Sequence, residues 1–503
     1  MSTSSIFRSA SLGAFLLASS SLLSRFLGLA RDALFSALFG VGNQEGIYAV
    51  DAYYLAFKIP DFIYTLLIFG ALSAAFIPLY TDLRLKKDQE EASRFTSQVL
   101  RKVLFLLLFT SSVSWLLAPW ILPLLAPGFP PELQTLAIDL TRIMLLSPLF
   151  LGLSSLFQGI ENAHKFFWGI SLAPLVYNTA LIAVAYFWGN DYGVYALAWG
   201  VALGAFLHFL VQIPGIRHTP FRWSWKPPEE AKAWKDFIKM AVPRIVGSSA
   251  LQISIIADAF LTTFLPLGSL AIYTYAFNLQ SLPYGVVAVA ISTAVFTTLS
   301  EQNEDPKAFV QTLKESLNTI LFWVLPAVLG LYLLREPIIH LILERGAFEP
   351  QDTVATAQML SIFVWAALPQ SLIPLFSRAF YSLKETWIPV KIAIFSIGMG
   401  LTVSLYGLFI LEEGLQSLAW GNLIASSLNA FLLIIFLQKR LKASWGDFWE
   451  GKALFRIGLA LSAMTFVLHV LAAQTVLLLI PVAGLTYLLV GTPLKRLAPK
   501  LWS

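Results

Sequence analysis

Ser24-Arg25-Phe26-Leu27-Gly28-Leu29-Ala30-Arg31-Asp32 sets three charges inside the apolar run Ala10–Gly40. The next apolar run, Asp51–Tyr80, repeats the anomaly with Asp51, Lys58 and Asp61. A charge at bilayer depth costs at least ~2.5–3.5 kcal/mol on insertion scales. Several in neighbouring segments are tolerated only where they face one another or a wet cavity. This pattern predicts a helical membrane protein with a polar interior.

The whole chain agrees. It is 57% hydrophobic and 13% charged, with a mean hydropathy of +0.73. Such a chain has too little polar surface for water. Only helices and closed barrels satisfy their backbone in lipid. The apolar runs are long, unlike the ten-residue alternating strands of a barrel, so helices are expected. With no cysteine, disulfides, thiol nucleophiles and cysteine metal sites are excluded. The histidines show no metal-ligand spacing, and no phosphate-binding loop motif is present. No nucleic-acid partner is expected, because the basic residues gather in loops on one side.

Fourteen candidate spans follow: 10–39, 51–81, 99–126, 134–160, 166–188, 191–214, 236–265, 269–299, 311–333, 354–381, 387–410, 414–437, 454–472 and 474–491. The first is expected to be a retained helix rather than a cleaved signal. With the N-terminus inside, the outer segments carry only Arg335 and Arg345 as basic residues. The other basic loops fall inside, as the positive-inside rule requires. Both termini are therefore expected in the cytoplasm. The outer interval 334–353 predicts a short interfacial helix. Trp115, Trp120, Trp188 and Trp387 near span ends read as interfacial anchors.

An internal echo points to two halves. Ala56-Phe57-Lys58 recurs as Ala276-Phe277-Asn278, and at the same offset Ala74, Phe76 and Leu79 recur as Ala294, Phe296 and Leu299. Repeated bundles with a site at their interface are a common transporter plan. The expected organisation is an N-lobe over 1–215 with helices 1–6, and a cytoplasmic linker over 216–235. A C-lobe over 236–441 holds helices 7–12, and 442–503 holds helices 13–14 with a cytoplasmic tail.

Periodicity selects the candidate site. Arg25, Gly28 and Asp32 share a helical face, and Arg31 lies roughly a third of a turn from Arg25. Asp51, Tyr54, Lys58, Asp61 and Thr65 form a stripe on the second span. Pro60 removes a backbone donor there and should kink the helix. Arg244, Ser248 and Asp258 lie near one face of the seventh span. Asn278 lies in the eighth, where Pro283 and Gly285 predict another bend. Gly28, Pro60 and Pro283 are the candidate gate or kink positions. A structural Arg–Asp pair and an inner-surface Arg244 are the competing readings.

The run 24–32 followed by Phe39-Gly40 resembles the first-helix motif of the MurJ (MviN) family. So does Asp51-Ala52-Tyr53-Tyr54-Leu55-Ala56-Phe57-Lys58-Ile59-Pro60 with Gly70-Ala71-Leu72-Ser73-Ala74-Ala75-Phe76-Ile77-Pro78. Ala126-Pro127-Gly128-Phe129 and Pro283-Tyr284-Gly285 add to the match. The resemblance covers essentially the whole chain. It implies the multidrug/oligosaccharidyl-lipid/polysaccharide exporter superfamily, and two six-helix lobes in a V with two C-terminal helices. It further implies flipping of lipid II across the bacterial inner membrane through a cationic cavity that includes Arg25, Arg31, Asp32, Asp51 and Lys58. Many members carry an Arg pair and a Glu in the second helix and Asp-Arg in the eighth. This chain has Tyr64-Thr65, Phe69 and Phe277-Asn278 there, so Lys58 and Arg244 are expected to compensate.

An Arg fork suits a pyrophosphate physically, because its donors match phosphate oxygens in pairs. No cofactor is expected. The drive is expected from the membrane potential or a monovalent cation. Expected partners are lipid II or a related polyprenyl-pyrophosphate saccharide, membrane lipids and cell-wall synthesis proteins. Other readings stay open: a flippase for another undecaprenyl-linked saccharide, a cation-coupled drug exporter, and a non-transporting scaffold. Intramembrane charge counts against the scaffold, which needs none.

Overall fold

The computed structural model describes residues 3–41, 49–66, 75–229, 232–471 and 474–491. It is all-helical among those residues. Two compact units emerge, Met1–Ala271 with Arg345–Glu349, and Ile272–Glu344 with Pro350–Ser503.

The first unit begins with α1 (Thr3–Phe39) and α2 (Ala49–Tyr64), with Pro60 inside the second. It continues through α3 (Ile77–Lys86), α4 (Gln89–Leu125), α5 (Pro131–Met144), α6 (Ser147–Ala163), α7 (Trp168–Tyr192), α8 (Val194–Leu210), α9 (Gln212–His218) and α10 (Lys232–Thr262). Local chemistry sets several ends. Asp88 caps α4, its carboxylate accepting from Glu91 N at 2.7 Å. Proline opens α5 at its first position, where a missing N–H costs nothing. α1 packs on α7, α7 on α8, α2 on α5, and α10 on α4 and α2. The segment 345–349 is tied to the end of α1, with Ala347 N donating to Ala37 O at 2.9 Å. Gly346 there has φ +58, and a Cβ on it would overlap the Ala37 backbone, so only glycine fits.

The second unit contains most of α11 (Ser269–Pro283), a π-helical turn Tyr284–Ala288, α12 (Val289–Glu301), α13 (Pro306–Leu333) and the short α14 (Arg335–Ile342). Next come α15 (Pro350–Ser382), α16 (Trp387–Phe409), α17 (Gln416–Leu441), α18 (Gly451–Val470) and α19 (Val476–Gly491). The π-turn begins directly after Pro283, where the ring interrupts the hydrogen-bond ladder. Asp305 caps α13 through Lys307 N and Ala308 N. α19 docks on α13 through Tyr487, whose hydroxyl donates to Phe322 O at 2.7 Å.

Among the described residues each of the fourteen expected spans falls on one helix or on consecutive helices, with the π-turn inside the eighth. Residues 67–74 of the second span lie outside the described residues. Among the described residues nine helices are long and apolar enough to cross a membrane, and Leu251–Thr262, Val289–Glu301 and Leu478–Gly491 are shorter apolar helices. The charged α1 and the interrupted second span account for part of the difference. Large apolar side chains such as Phe105, Trp120, Leu124, Phe455 and Leu489 are exposed. On a soluble protein that pattern would aggregate, and on a membrane protein it is the lipid face. The protein is a multi-pass membrane protein. The short α14 falls within the interval 334–353, where the sequence predicts a short helix.

Candidate functional site

α1 carries the first part of the site. Arg31 and Asp32 form an ion pair between neighbours, with Nη2 to Oδ1 at 2.9 Å and Nε to the same oxygen at 3.1 Å. Asp32 is buried, and Arg31 stays partly accessible. Helical spacing puts Asp32 on the face of Arg25, and Asp32 also pairs with the adjacent Arg31, whose long stem can turn back. The Arg31 guanidinium also lies 5.9 Å from the Phe35 ring centroid. Phe35 meets Tyr53 of α2 edge-on at 5.8 Å. Arg25 is half-buried on the same helix. A Cβ at Gly28 would meet nothing within 4 Å, so close packing does not require glycine there.

The polar face of α1 is anchored to α7. Asn178 Nδ2 donates to Ser24 Oγ at 3.1 Å, and Ser20 Oγ donates to Ser171 O. These bonds fix the rotation of α1, and with it the direction in which Arg25 and Arg31 project. Tyr177, one residue earlier on α7, lies within electrostatic range of Arg31, Asp61 and Tyr64.

α2 supplies the second part. Lys58 is half-buried, between Asp61 on its own helix and Asp258 on α10, both of which act on its charge. Asp61 Oδ2 accepts from Gln252 Nε2 of α10 at 3.3 Å. Asp258 is buried at 5% exposure. Arg25, Arg31 and Lys58 therefore stand in one unit with Asp32, Asp61 and Asp258, and the formal charges balance. Carboxylates beside cations lower the cost of carrying charge within apolar helices, Asp32 for Arg31, and Asp61 with Asp258 for Lys58. The arrangement also leaves guanidinium and ammonium donors that an incoming phosphate could recruit.

Asp51 sits elsewhere. It is 1% exposed, and its carboxylate accepts from Gly268 N at 2.7 Å and from Ala271 N at 2.8 Å. These amides open α11, so Asp51 acts as an N-cap supplied from a distant helix. Gly268 has φ +93, a backbone conformation that favours glycine.

The other candidates separate from this cluster. The backbone of Arg244 lies in α10, and its side chain and that of Ser248 are outside the described residues. Asn278 and Pro283 lie on α11 in the second unit. That unit has an amide chain of its own. Gln280 Nε2 donates to Gln370 Oε1 at 3.3 Å, and Gln370 Nε2 donates to Asn422 Oδ1 at 2.8 Å. Among the described residues no cluster of His, Asp and Glu could hold a metal ion.

Gln252, Tyr177, Asn178 and Gln370 were not singled out from the sequence. Neutral side chains in apolar helices carry no periodic signal. Only the packing shows which of them meets a charge.

Comparison with known proteins supplies the remaining evidence. Residues 35–496 match the family model described as Lipid II flippase MurJ. A probable lipid II flippase MurJ of Bdellovibrio bacteriovorus is 30% identical over 440 residues, covering 85% of this chain and 82% of the relative. A lipid II flippase MurJ of Burkholderia cenocepacia is 28% identical over 435 residues, covering 83% of this chain and 82% of the relative. A solved structure of lipid II flippase MurJ in an inward closed conformation superposes with a TM-score of 0.80 at 28% identity, over 96% of this chain and 99% of that one. An inward-facing multidrug resistance MATE family transporter shares the fold, with a TM-score of 0.70 at 14% identity over 85% of this chain and 98% of that one.

Proposed function

The chain belongs to the MurJ family of lipid II flippases, and from that premise we propose that it carries lipid II from the inner to the outer leaflet by alternating access of two lobes. It is a transporter and not an enzyme. In this reading helices 1–6 over 1–215 and helices 7–12 over 236–441 form the lobes, joined by the linker 216–235. The segment 442–503 adds two helices and a tail. Both termini face the cytoplasm, which the one-sided distribution of loop lysines and arginines supports.

The observation that carries the reading is that α1, α2 and α10 bring Arg31 with Asp32, and Lys58 with Asp61 and Asp258, into one compact unit. In the proposed cycle the lipid pyrophosphate enters, draws on Arg25, Arg31 and Lys58, and competes with Asp32, Asp61 and Asp258 for them. Arginine forks grip phosphate oxygens in pairs, while Lys58 acts as a point charge. The exchange of one set of anions for another lets the head group bind without leaving a bare cation behind when it departs. Arg244 would add the excess positive charge that the described cluster lacks. The polyprenyl tail stays in lipid throughout. The membrane potential or a monovalent cation drives the cycle, and cell-wall synthesis proteins receive the product.

The test is complementation of a strain depleted of its own lipid II flippase, combined with an assay of lipid II exposure on the outer leaflet. Restored growth and exposure support the reading. Growth without lipid II exposure, or no complementation by protein present in the membrane at normal levels, overturns it. A flippase for another polyprenyl-pyrophosphate saccharide would bind that lipid and leave lipid II inside.

A further inference from the structure

Glu161 ends α6 on the side of the membrane that the loop charges assign to the cytoplasm. It is fully buried, at 0% exposure. Neither carboxylate oxygen has a hydrogen-bond partner of full geometry, although the Ile170 N–H approaches it. No ion pair reaches it among the described residues. A buried ionised carboxylate left this way is among the most costly arrangements in a protein.

The pocket around it is built for the side chain. A Cβ on Gly215 would overlap the Glu161 carboxylate, and a Cβ on Gly169 would lie 2.6 Å from both Glu161 Oε2 and Gln212 Oε1. Two glycines thus open the space, and the Glu161 carboxylate and the Gln212 amide oxygen both border it. Gln212 is also fully buried. Its Nε2 donates to Gly169 O at 3.3 Å, which leaves Oε1 without a partner. Turning the amide over would set Oε1 against the Gly169 carbonyl instead. Either orientation leaves two acceptors facing each other unless a donor is added.

We infer that Glu161 and Gln212 form a buried proton site: Glu161 binds one proton, and its O–H donates to Gln212 Oε1. One proton removes the buried charge and satisfies both orphaned oxygens. Its release leaves a carboxylate wedged between α6, α7 and α9, and the proton passes to water at the cytoplasmic face.

Several titratable groups on the elements around α6 are engaged elsewhere. Arg84 of α3 donates to Ala163 O at 3.2 Å and contacts His164 Nδ1 at 3.1 Å, and His164 Nε2 meets the Tyr80 hydroxyl at 2.8 Å. His218 of α9 pairs with Pro214 O at 2.7 Å, and His208 of α8 with Ser154 Oγ at 2.8 Å. On α2, Tyr64 bonds Ser155 and Asp61 bonds Gln252. On α4, Glu91 is 3.9 Å from Arg94. Lys165 lies four residues after Glu161 and Arg217 five after Gln212 in the sequence, and neither forms an ion pair with Glu161 among the described residues.

The experiment uses the full-length purified protein in detergent. In wild type, infrared spectra should show a protonated carboxyl C=O band at neutral pH that is absent from Glu161→Gln, whose amide imitates the neutral acid. The apparent Tm of wild type should fall by several degrees as pH rises from about 6 to about 9, the range that buried carboxyls reach. That of Glu161→Gln should stay flat. Gln212→Leu, which removes only the acceptor, should move the band, and it serves as the second variant if Glu161→Gln does not accumulate. No band assignable to Glu161, an unmoved band in Gln212→Leu, or parallel pH profiles would overturn the site. A rise in wild-type Tm with sodium at fixed pH that Glu161→Gln lacks would overturn it as well, since the oxygens would then hold a metal cation. These readouts need no transport. If the flippase reading holds, the site also admits cytoplasmic pH into the cycle, and Glu161→Gln should flatten the pH profile of transport.

Discussion

Replacing Asp51 by alanine separates a helix anchor from a substrate contact. Its carboxylate accepts from two buried amides, at 2.7 Å from Gly268 N and 2.8 Å from Ala271 N. Alanine leaves both donors without an acceptor. Each unsatisfied buried donor costs ~1–3 kcal/mol, and N-cap losses run to ~2 kcal/mol. A local cost of ~2–4 kcal/mol follows for the pair. At about 1.4 kcal/mol per factor of ten, amide exchange at 268–271 should accelerate roughly 30- to 700-fold. Asp51→Asn keeps one acceptor and sets its NH2 against the other amide, so it should recover only part of that protection. Hydrogen exchange followed by mass spectrometry, on peptides spanning 265–275, reads the effect directly. Unchanged exchange there in Asp51→Ala, with transport lost, would refute the anchor and return Asp51 to the substrate path.

Three further outcomes are expected. Arg31→Ala should lower thermal stability by stranding the buried Asp32, and an Arg31→Ala, Asp32→Ala double variant should regain stability without regaining lipid II transport. A double variant that transports normally would show the pair to be packing alone. Lys58→Gln should weaken lipid II binding and reduce its salt sensitivity, because one charge–phosphate attraction is lost. Arg244→Lys should impair transport if the guanidinium grips a phosphate, and unaltered binding in a Lys58→Gln, Arg244→Ala protein would refute the compensation. Cysteine placed at Gln351 should react with an impermeant external reagent in intact cells while one at Gln89 does not, and labelling at Gln89 would overturn the orientation.

The spans, the class of protein and the family were legible in the sequence because hydropathy and motif are local properties of a chain. An apolar run long enough to cross lipid must be helical whatever packs beside it, and each expected span indeed falls on a helix. The stripe of Lys58 and Asp61 was legible too, since spacing along one helix fixes which residues share its face. Partner choice was not. Asp51 looked like one more charge on that stripe, but its bonds run to amides beyond position 267, and Gln252 reaches Asp61 from α10. Nothing in the sequence sets Glu161 apart, because the two glycines and Gln212 that border its carboxylate come from other helices. These pairings depend on how helices rotate and seat against one another across long stretches of chain. No period in the sequence encodes that rotation, so only the tertiary structure could decide which charges are anchors, which are paired, and which oxygen is left without a donor.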